Sequence, residues 1–412
     1  MKTRRGMGLL ILAGLLAFAA VTWGIYTFKS RPYPGANDFF SRWSGVRSFW
    51  IDRLDPYGEE ASLSIQVGIY GRPAQEGEDP GYYAYPMYTT LLLAPLAPLP
   101  YVWAEAIWLA LLIALQIGAL ALLIAVFGWQ PGPFLLGLSV LWAIFFYPAA
   151  RGILLGQPGL VVYFLEVLAL WALARGRDEL AGAALALSTI KPQMGFLFVP
   201  FLLLWGLRER RWRLISAFVL VWGGLMAWSF IVLPGWFGEW WEQLARYPSY
   251  TAIGSPLWVL TRVYLPFLGA PGEIMIGGAL FALLLWAWWR VIVRRRATEF
   301  GWTIVLTLTI THLIAVRTAT PHFVVFNIPL FFYFATLTTA DRQRGPSVVA
   351  LAQVVLIIGL WALFLWTVQG KFEHPAMYLP LPFGILILLL ISRRLWLDQA
   401  PLTPLGFKET AA

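Results

Sequence analysis

The stretch "YPMYTTLLLAPLAPLP", residues 85–100, decides how the chain is threaded through a membrane. It is apolar enough to resemble a membrane span, but three further prolines follow Pro86 within it. If it crossed the membrane, every later loop of the chain would change sides. We therefore predict that residues 85–100 form a re-entrant or interfacial segment, and the distribution of basic loops agrees with this choice.

The composition of the whole chain is that of a multi-span membrane protein. Of its 412 residues, 59% are hydrophobic and 12% are charged, whereas soluble domains carry about 25% charged residues. Cysteine is absent, which excludes disulfides, thiolate metal sites and cysteine nucleophiles. The chain contains only three His residues, so a His-rich metal site is not expected. The net charge of +9 reports membrane topology rather than nucleic-acid binding, because Lys and Arg collect in cytoplasmic loops.

A membrane span needs about 20 apolar residues, and about twelve segments approach that requirement. Their predicted positions are 7–28, 102–127, 132–149, 158–174, 179–190, 194–207, 213–233, 272–292, 301–316, 322–339, 347–367 and 377–392. The first resembles a signal peptide but is long enough for a full span and has no convincing cleavage site, so we predict an uncleaved anchor. The predicted fold class is all-α integral membrane, with residues 1–412 forming a single multi-span domain.

Basic residues gather on one side of this topology, as the positive-inside rule requires of cytoplasmic loops. The basic sequences on that side are "MKTRR", "RGRDE", "RERRWR", "RVIVRRR", "DRQRG" and "SRR". We therefore predict a multi-pass protein of the plasma membrane with both termini in the cytoplasm.

The extracytoplasmic side receives two long loops, residues 29–84 and 234–271. Both loops are rich in aromatic residues rather than Gly and Ser, so we expect them to fold against the membrane. Within residues 37–54, apolar side chains recur at helical spacing with three Arg residues among them. This pattern predicts a short amphipathic helix in the membrane interface.

Asp38 stands at the start of that helix, and its position allows two roles. As a general base it would take the proton of an acceptor hydroxyl, which requires direct hydrogen-bond reach. As an N-cap, a role equally open to Asn37, it would accept a hydrogen bond from the backbone at the helix start. Two neighbouring acids have simpler interpretations: Asp55, in "DPYG", is typical of a turn, and Asp52 of a solvated helix position.

Lys191 is the charged residue closest to a predicted membrane-embedded break. The helical segments 179–190 and 194–207 are short and are separated at "KPQ". A Lys inside a membrane segment costs about 2.5–3.5 kcal/mol on insertion scales and normally faces a polar cavity or a partner. Lys191 is therefore either a phosphate ligand or a residue whose long side chain reaches the outer membrane boundary.

Two further outer loops contain polar residues that suit an anionic headgroup. Arg151 and Gln157, in "ARGILLGQPG", are either site residues or an interfacial Arg and a turn residue. Arg317 and His322 share the hairpin "VRTATPHF". An Arg and a His in one hairpin would suit an anion, although a lone His is more often a satisfied residue at a helix end.

An ordered series of motifs runs along the chain: "NDF" after the first span, "DPY", "YAYPM", "GQ", "RGRDELAGAALALSTIKPQ", "RERRW" and "PHFVVFNIPL". The series resembles glycosyltransferase family 87, multi-span GT-C enzymes related to polyprenyl-phosphate-mannose-dependent mannosyltransferases. The resemblance covers most of the chain up to about residue 335.

The resemblance implies a GT-C fold with short interfacial helices in the first outer loop, an active site facing away from the cytoplasm, and Asp38 as the catalytic base. The predicted donor-phosphate ligands are Lys191, Arg317, His322 and Arg151. The predicted substrate-binding residues are Gln157, Asp55, Tyr57 and Tyr85.

The implied reaction is transfer of a sugar, mannose by this resemblance, from a polyprenyl phosphate to a hydroxyl of a lipid-linked or glycan acceptor, with inversion. Such a reaction belongs to glycolipid biosynthesis for the cell envelope. No metal or other cofactor is expected, because the lipid-linked donor is already activated. No P-loop, GxGxxG or HExxH pattern occurs, and the cytoplasmic loops are too short for a nucleotide-binding domain. The expected partners are the donor, the acceptor and membrane lipid, and no nucleic acid.

Three other functions compete with this interpretation. A transporter or flippase for a lipid-linked or anionic solute would share the broken helix and the buried cation, but it predicts a repeat symmetry that the sequence does not show. A glycan polymerase or ligase predicts an Arg-dominated site in a late outer loop and gives Asp38 no special role. A membrane scaffold would tolerate substitution of both Asp38 and Lys191.

Overall fold

The computed structural model describes residues 2–34, 37–250, 253–370 and 373–407. Within these ranges the chain forms helices and connecting turns, and no β-strand. Residues 35–36 and 251–252, in the two predicted outer loops, lie outside the described residues, as do residues 1 and 408–412 at the predicted cytoplasmic termini.

The helices follow one another along the chain, mostly with short connections; the longest, residues 71–88, joins α3 to α4. In chain order they are α1 (Lys2–Ile25), α2 (Asp38–Arg47), α3 (Glu59–Tyr70), α4 (Thr89–Leu93), α5 (Tyr101–Phe127), α6 (Pro133–Phe145), α7 (Tyr147–Leu155), α8 (Gly159–Ala174), α9 (Asp178–Ser188), α10 (Pro192–Gly195), α11 (Phe198–Arg208), α12 (Trp212–Val232), α13 (Trp236–Tyr250), α14 (Pro256–Val259), α15 (Gly269–Ile292), α16 (Phe300–Ile314), α17 (Asn327–Ala340), α18 (Gly345–Thr367), α19 (Pro380–Ile391) and α20 (Arg393–Gln399). Short π-helical or 3₁₀ segments are Tyr26–Ser30, Ser48–Asp52, Ala94–Leu96, Leu260–Tyr264, Ala297–Glu299, Thr320–Phe326 and Pro375–Tyr378.

Seven helical stretches in the described ranges are long and apolar enough to cross a membrane. Two bent pairs, α6 with α7 at 47° and the stretch Pro375–Ile391 with α20 at 66°, raise the number to nine if each pair is one span. The all-α integral membrane prediction is therefore confirmed, while the count of about twelve spans is not. Helices such as α11 explain the difference, because its 11 residues rise about 16 Å, against about 30 Å of hydrocarbon.

The chain folds as two compact units. Unit 1 comprises Met1–Gln116, Ile153–Gln157 and Ala227–Thr251, and unit 2 comprises Ile117–Gly152, Pro158–Met226 and Ala252–Ala412. Each unit is thus assembled from stretches that are far apart in the sequence, an arrangement that hydropathy alone does not reveal. The extracytoplasmic location of residues 29–84 and 234–271 stays a prediction.

In unit 1, the decisive residues 85–100 contain only α4 and the 3₁₀ turn Ala94–Leu96. A five-residue helix rises about 8 Å, which is far too short to cross a bilayer. The stretch is instead bound through its backbone carbonyls by side chains of residues 38–52: Trp43 Nε1 donates to Leu96 O at 3.0 Å, Arg47 to Ala97 O at 3.0 Å, and Trp50 Nε1 to Thr90 O at 3.2 Å.

Unit 2 has a helical core with polar groups that satisfy each other locally. In the 18-residue stretch Ala297–Ile314, which contains α16, 89% of the residues are buried. In the most apolar 18 residues of α18, only 17% are buried. The hydroxyls of Thr307, Thr309 and Thr311 donate to carbonyls one turn back in α16, a common way to satisfy Thr inside a helix. The exposed apolar face of α18 suits lipid contact.

Within unit 2, helices α9 and α12 approach each other at Gly182. A Cβ atom added to Gly182 would lie 2.3 Å from the backbone oxygen of Leu214. No side-chain rotation can relieve such a contact, because the opposing atom belongs to the backbone. Gly182 therefore sets the separation of these two helices.

We predict that Gly182→Ala lowers the melting temperature of the detergent-solubilised protein by several degrees, because α9 and α12 must move apart. Gly224→Ala is the matched control, since Gly224 lies in α12 with nothing within 4 Å of an added methyl group. There, helix propensity favours Ala by about 1 kcal/mol, so the control should be neutral or stabilising. Equal melting temperatures for the two variants would contradict the close approach of the two helices at Gly182.

Candidate active site

The predicted base, Asp38, is the first residue of α2 in unit 1. The N-cap is Asn37, whose side-chain Oδ1 accepts a hydrogen bond from the backbone N–H of Phe39 at 3.1 Å. Asp38 is half-buried and does not perform the capping. Its negative charge is nonetheless well placed, because a helix N-terminus carries partial positive charge, and Arg47 complements the other end of α2.

The carboxylate of Asp38 accepts a hydrogen bond from the side-chain amide of Gln157, through Oδ2. Gln157 is buried and lies 119 residues further along the chain. Among the described residues, no hydrogen bond is made to the other carboxylate oxygen, Oδ1. The backbone carbonyl of Asp38 accepts from the guanidinium of Arg42 and from Ser41 Oγ. One carboxylate oxygen is thus held in place, while the other can accept a further hydrogen bond.

Gly156 explains how Gln157 reaches this position. Its φ of +64° lies in the left-handed region, which Gly adopts without the steric penalty of a side chain. A Cβ there would also lie 2.6 Å from Phe39 Cβ. Trp108 fixes both neighbours, since its Nε1 donates to Gly156 O at 2.9 Å and its ring stacks on Phe39 with centroids 5.5 Å apart. The "GQ" motif therefore packs directly against the residue that follows Asp38.

The other predicted substrate-binding residues of unit 1 form a packed cluster. Asp55 Oδ1 accepts from the backbone N–H of Tyr57 at 2.9 Å, as in an Asx turn. The hydroxyl of Tyr57 donates to Tyr85 O at 2.6 Å, and both tyrosines are buried. Burial, and then the nearby Tyr83 and Asp55, raise the pKa of Tyr57 well above its ordinary value. These contacts support the shape of the first loop, and a role in substrate binding stays a prediction.

Glu239, on α13, is a titratable neighbour of Asp55 that the sequence did not single out. Its partial burial and then the carboxylate of Asp55 raise the pKa of Glu239 above the ordinary value. The sequence carried no signal for this pair, because the two residues are 184 positions apart.

A second missed residue is Glu105, which is fully buried in the first turns of α5. Its Oε1 accepts hydrogen bonds from Lys29 Nζ, from Asn37 Nδ2 at 2.7 Å and from Tyr101 OH at 3.1 Å. The sequence did contain a signal for Glu105. Placing an acidic side chain within a membrane span costs free energy, and such residues are often functional. Glu105 thus touches the residue that caps the Asp38 helix.

In unit 2, Lys191 lies at the predicted break. It follows α9, precedes the short helix α10 as its N-cap residue, and is 4% exposed. Arg317 is half-buried in the connection after α16. Both positions are compatible with the predicted phosphate-binding role, which stays a prediction.

His322 of unit 2 is buried in the segment Thr320–Phe326. Its Nδ1 accepts from the backbone N–H of Ala319 at 3.3 Å and lies 3.2 Å from Thr318 Oγ1. Because Nδ1 is an acceptor, the neutral ring carries its proton on Nε2. The edge with Nε2 faces α8, where a Cβ on Gly159 would lie 3.2 Å from His322 Cδ2.

Arg151, on α7, is paired with a carboxylate. Its Nε donates to Glu373 Oε1 at 3.2 Å, and its guanidinium lies 5.6 Å from the centre of the Phe364 ring. Tyr147 OH also donates to Glu373, as does Thr320 Oγ1 at 2.7 Å. A phosphate at Arg151 would have to compete with this carboxylate. Among the described residues, no group of three or more His, Asp or Glu side chains could hold a metal ion.

We predict that Gly156→Ala reduces both stability and any activity that depends on Asp38, because it combines a left-handed penalty of about 1–2 kcal/mol with the collision at Phe39. Gly71→Ala is the control, since Gly71 has a φ of +71° and nothing within 4 Å of an added methyl. Thermal unfolding should show a larger loss for Gly156→Ala. If the two variants lose equally, the contact with Phe39 is unimportant.

We also predict that Glu239→Gln raises the melting temperature at pH 7. The folded state holds a proton on Glu239 more tightly than the unfolded chain does, so this carboxyl favours folding at low pH and loses that contribution as pH rises through its raised pKa. Glutamine keeps the neutral form, and its advantage should vanish near pH 4. Glu76→Gln, at an exposed turn position of unit 1, is the control, and a lower melting temperature for Glu239→Gln at pH 7 would refute the prediction.

The family model for glycosyltransferase family 87 matches residues 83–315, which is more than half of the chain. The matched residues include Glu105, Gln157 and Lys191, whereas Asp38 and His322 lie outside them. No curated protein and no solved structure matches the chain. By this match, and with its apolar helices, the chain belongs to glycosyltransferase family 87 and is a membrane glycosyltransferase.

Proposed function

We propose that this chain has a GT-C fold and transfers a sugar from a polyprenyl-phosphate donor to a hydroxyl of a lipid-linked or glycan acceptor. We propose mannose as the sugar. The reaction takes place on the extracytoplasmic face of the plasma membrane and inverts the anomeric configuration. Asp38 acts as the general base. Family membership supports the class of reaction, and the donor, sugar, acceptor and face are parts of the proposal.

The observation that carries the proposal is the arrangement of the Asp38 carboxylate in unit 1. It lies in the first turn of α2, one of its oxygens is held by Gln157, and Asp38 as a residue is half-buried. A general base needs a fixed position within about 3 Å of the hydroxyl that it deprotonates. The hydrogen bond from Gln157 restricts rotation of the carboxylate and leaves Oδ1 to meet the acceptor.

The chemistry requires only one carboxylate near the acceptor. The acceptor oxygen attacks the anomeric carbon and forms the new glycosidic bond, while the bond from that carbon to the phosphate oxygen breaks and the polyprenyl phosphate leaves with the electron pair. The hydroxyl proton passes to Asp38. A single displacement of this kind inverts the anomeric centre, as one base and no carboxylate nucleophile do in inverting glycoside hydrolysis.

The departing phosphate gains charge in the transition state, and cations lower the barrier by stabilising it. The candidate ligands remain Lys191, Arg317 and His322 of unit 2, with Arg151 the weakest of the four because Glu373 already occupies its guanidinium. His322 would donate through Nε2, given the acceptor role of Nδ1.

Family membership favours this function over the transporter, flippase and scaffold interpretations, because the family is defined by glycosyl transfer. A glycan polymerase or ligase remains a less favoured alternative. It would not require the hydrogen bond between Asp38 and Gln157. The two residues are 119 positions apart, so this contact forms only when the chain folds.

We predict that Asp38→Asn lowers kcat by about 10²–10⁴-fold, the usual contribution of a general base, while donor affinity changes little. The assay uses the protein in lipid nanodiscs with radiolabelled polyprenyl-phosphate mannose and a crude membrane glycolipid acceptor. Asp52→Asn is the matched control, because Asp52 ends the same helical stretch and is exposed. It should retain activity within about twofold.

Equal turnover by wild type and Asp38→Asn would remove Asp38 from the reaction. Labelled donor that binds to the wild type and is released unchanged on the opposite face of a proteoliposome would instead support the transporter interpretation.

A further inference from the structure

We propose that Glu105 is a positioning residue that fixes Asp38 through Asn37. This inference rests on the proposed role of Asp38 as the base. It concerns only unit 1, where α2, α5 and the end of α7 supply the groups involved.

Glu105 is a fully buried carboxylate at the start of an apolar helix, so it must be compensated. Burial of an uncompensated charge is among the most expensive events in a protein interior. Lys29, which is 30% exposed, supplies the opposite charge through its ammonium. Asn37 Nδ2 and Tyr101 OH add hydrogen bonds of 2.7 and 3.1 Å to the same oxygen, Oε1.

The side-chain amide of Asn37 is satisfied on both of its ends. Its Oδ1 accepts from the backbone N–H of Phe39 at 3.1 Å and lies 2.9 Å from Tyr101 OH, whose single proton is shared with Glu105 Oε1. Its Nδ2 donates to Glu105 at 2.7 Å and to Leu154 O at 3.3 Å. Both acceptors thus meet the NH₂ group, and the oxygen meets the N–H of Phe39 and the shared proton of Tyr101.

Glu105 decides which way this amide points. If the amide were turned over, its oxygen would face the carboxylate of Glu105, and its NH₂ group would face the N–H of Phe39. Both contacts would be repulsive, and the cap on α2 would be lost. The buried carboxylate therefore imposes the orientation in which Oδ1 caps the helix.

The position of Asp38 follows from that orientation. Asp38 lies between Asn37 and the capped Phe39, so the cap fixes the backbone on both sides of it. Leu154, which also binds Asn37, lies three residues before Gln157, the partner of the Asp38 carboxylate. Through its hydrogen bond to Asn37, Glu105 therefore helps to hold both the start of α2 and the residues that precede Gln157.

The test exchanges the polarity of the Asn37–Glu105 pair. Asn37→Asp keeps an oxygen to cap Phe39 but places two carboxylates face to face with one ammonium. Adding Glu105→Gln restores a donor opposite an acceptor, now in the reverse direction, and restores the net charge of the wild type. The three proteins are compared at pH 8, where two facing carboxylates repel most.

We expect Asn37→Asp to lower kcat by about tenfold or more, the factor typical of a lost charged hydrogen bond, with KM for the donor unchanged. The double variant should recover the part of this loss that comes from the facing carboxylates, but not the part that comes from the lost hydrogen bond to Leu154 O. In an Asp38→Asn background, Asn37→Asp should cause no further loss, since residues that act as a unit are not additive. Hydrogen exchange of the first-turn amides of α2 should rise in the single variant and return in the double variant.

The inference is overturned if the double variant is no better than Asn37→Asp, or if Asn37→Asp leaves both kcat and amide exchange unchanged. A wild type that shows no turnover with any lipid-linked sugar would contradict the proposed function, and the exchange experiment would still decide whether Glu105 fixes the start of α2. Melting temperatures separate general unfolding from a positioning effect.

Discussion

A buried carboxylate in an apolar helix must find a cation and hydrogen-bond donors, and unit 1 is organised around that requirement at Glu105. Lys29 comes from the segment after α1, Asn37 from the start of α2, and Tyr101 from α5 itself. When Asn37 is hydrogen-bonded to Glu105, the orientation of its side chain, and with it the direction of α2, is fixed. The half-buried Asp38 lies in this first turn.

The rest of the site follows from close packing against this start. Gly156 allows the chain to approach Phe39, Trp108 fills the space beside it, and Gln157 is delivered to the Asp38 carboxylate. Unit 2 pairs its half-buried charges in a comparable way, as Glu373 accepts hydrogen bonds from Arg151, Tyr147 and Thr320. In unit 1 the network includes a carboxylate inside a predicted apolar helix, whereas in unit 2 Glu373 and its partners Arg151 and Thr320 lie between the predicted spans.

Much of the fold could be predicted from local sequence. Hydropathy located the long apolar helices but not α3 and α13. The prolines after Pro86 identified a stretch that is too short to span, and "KPQ" located the break at Lys191. The number of spans could not be predicted, because α8 and α11 are apolar but short. Hydropathy measures composition over a window and does not measure where a helix ends.

The candidate site was predicted only in part. A capping residue could be assigned to Asn37 or Asp38, and local spacing cannot decide between them; the choice depends on Glu105, 68 residues away from Asn37. The contact between Asp38 and Gln157 depends equally on tertiary folding. Glu105 itself was visible as an acid within an apolar run, and the cost of burying it is the physical reason to have asked what surrounds it.

The most direct test of Asp38 as the base is a cryo-electron microscopy structure of the protein in nanodiscs with a glycolipid acceptor and a non-reactive phosphonate analogue of the sugar donor. The measured quantity is the distance from the Asp38 carboxylate to the nearest acceptor hydroxyl. We expect about 3 Å, with Gln157 still bound to the other carboxylate oxygen. An acceptor hydroxyl placed against a different carboxylate, with Asp38 contacting only the protein, would contradict the proposed role of Asp38.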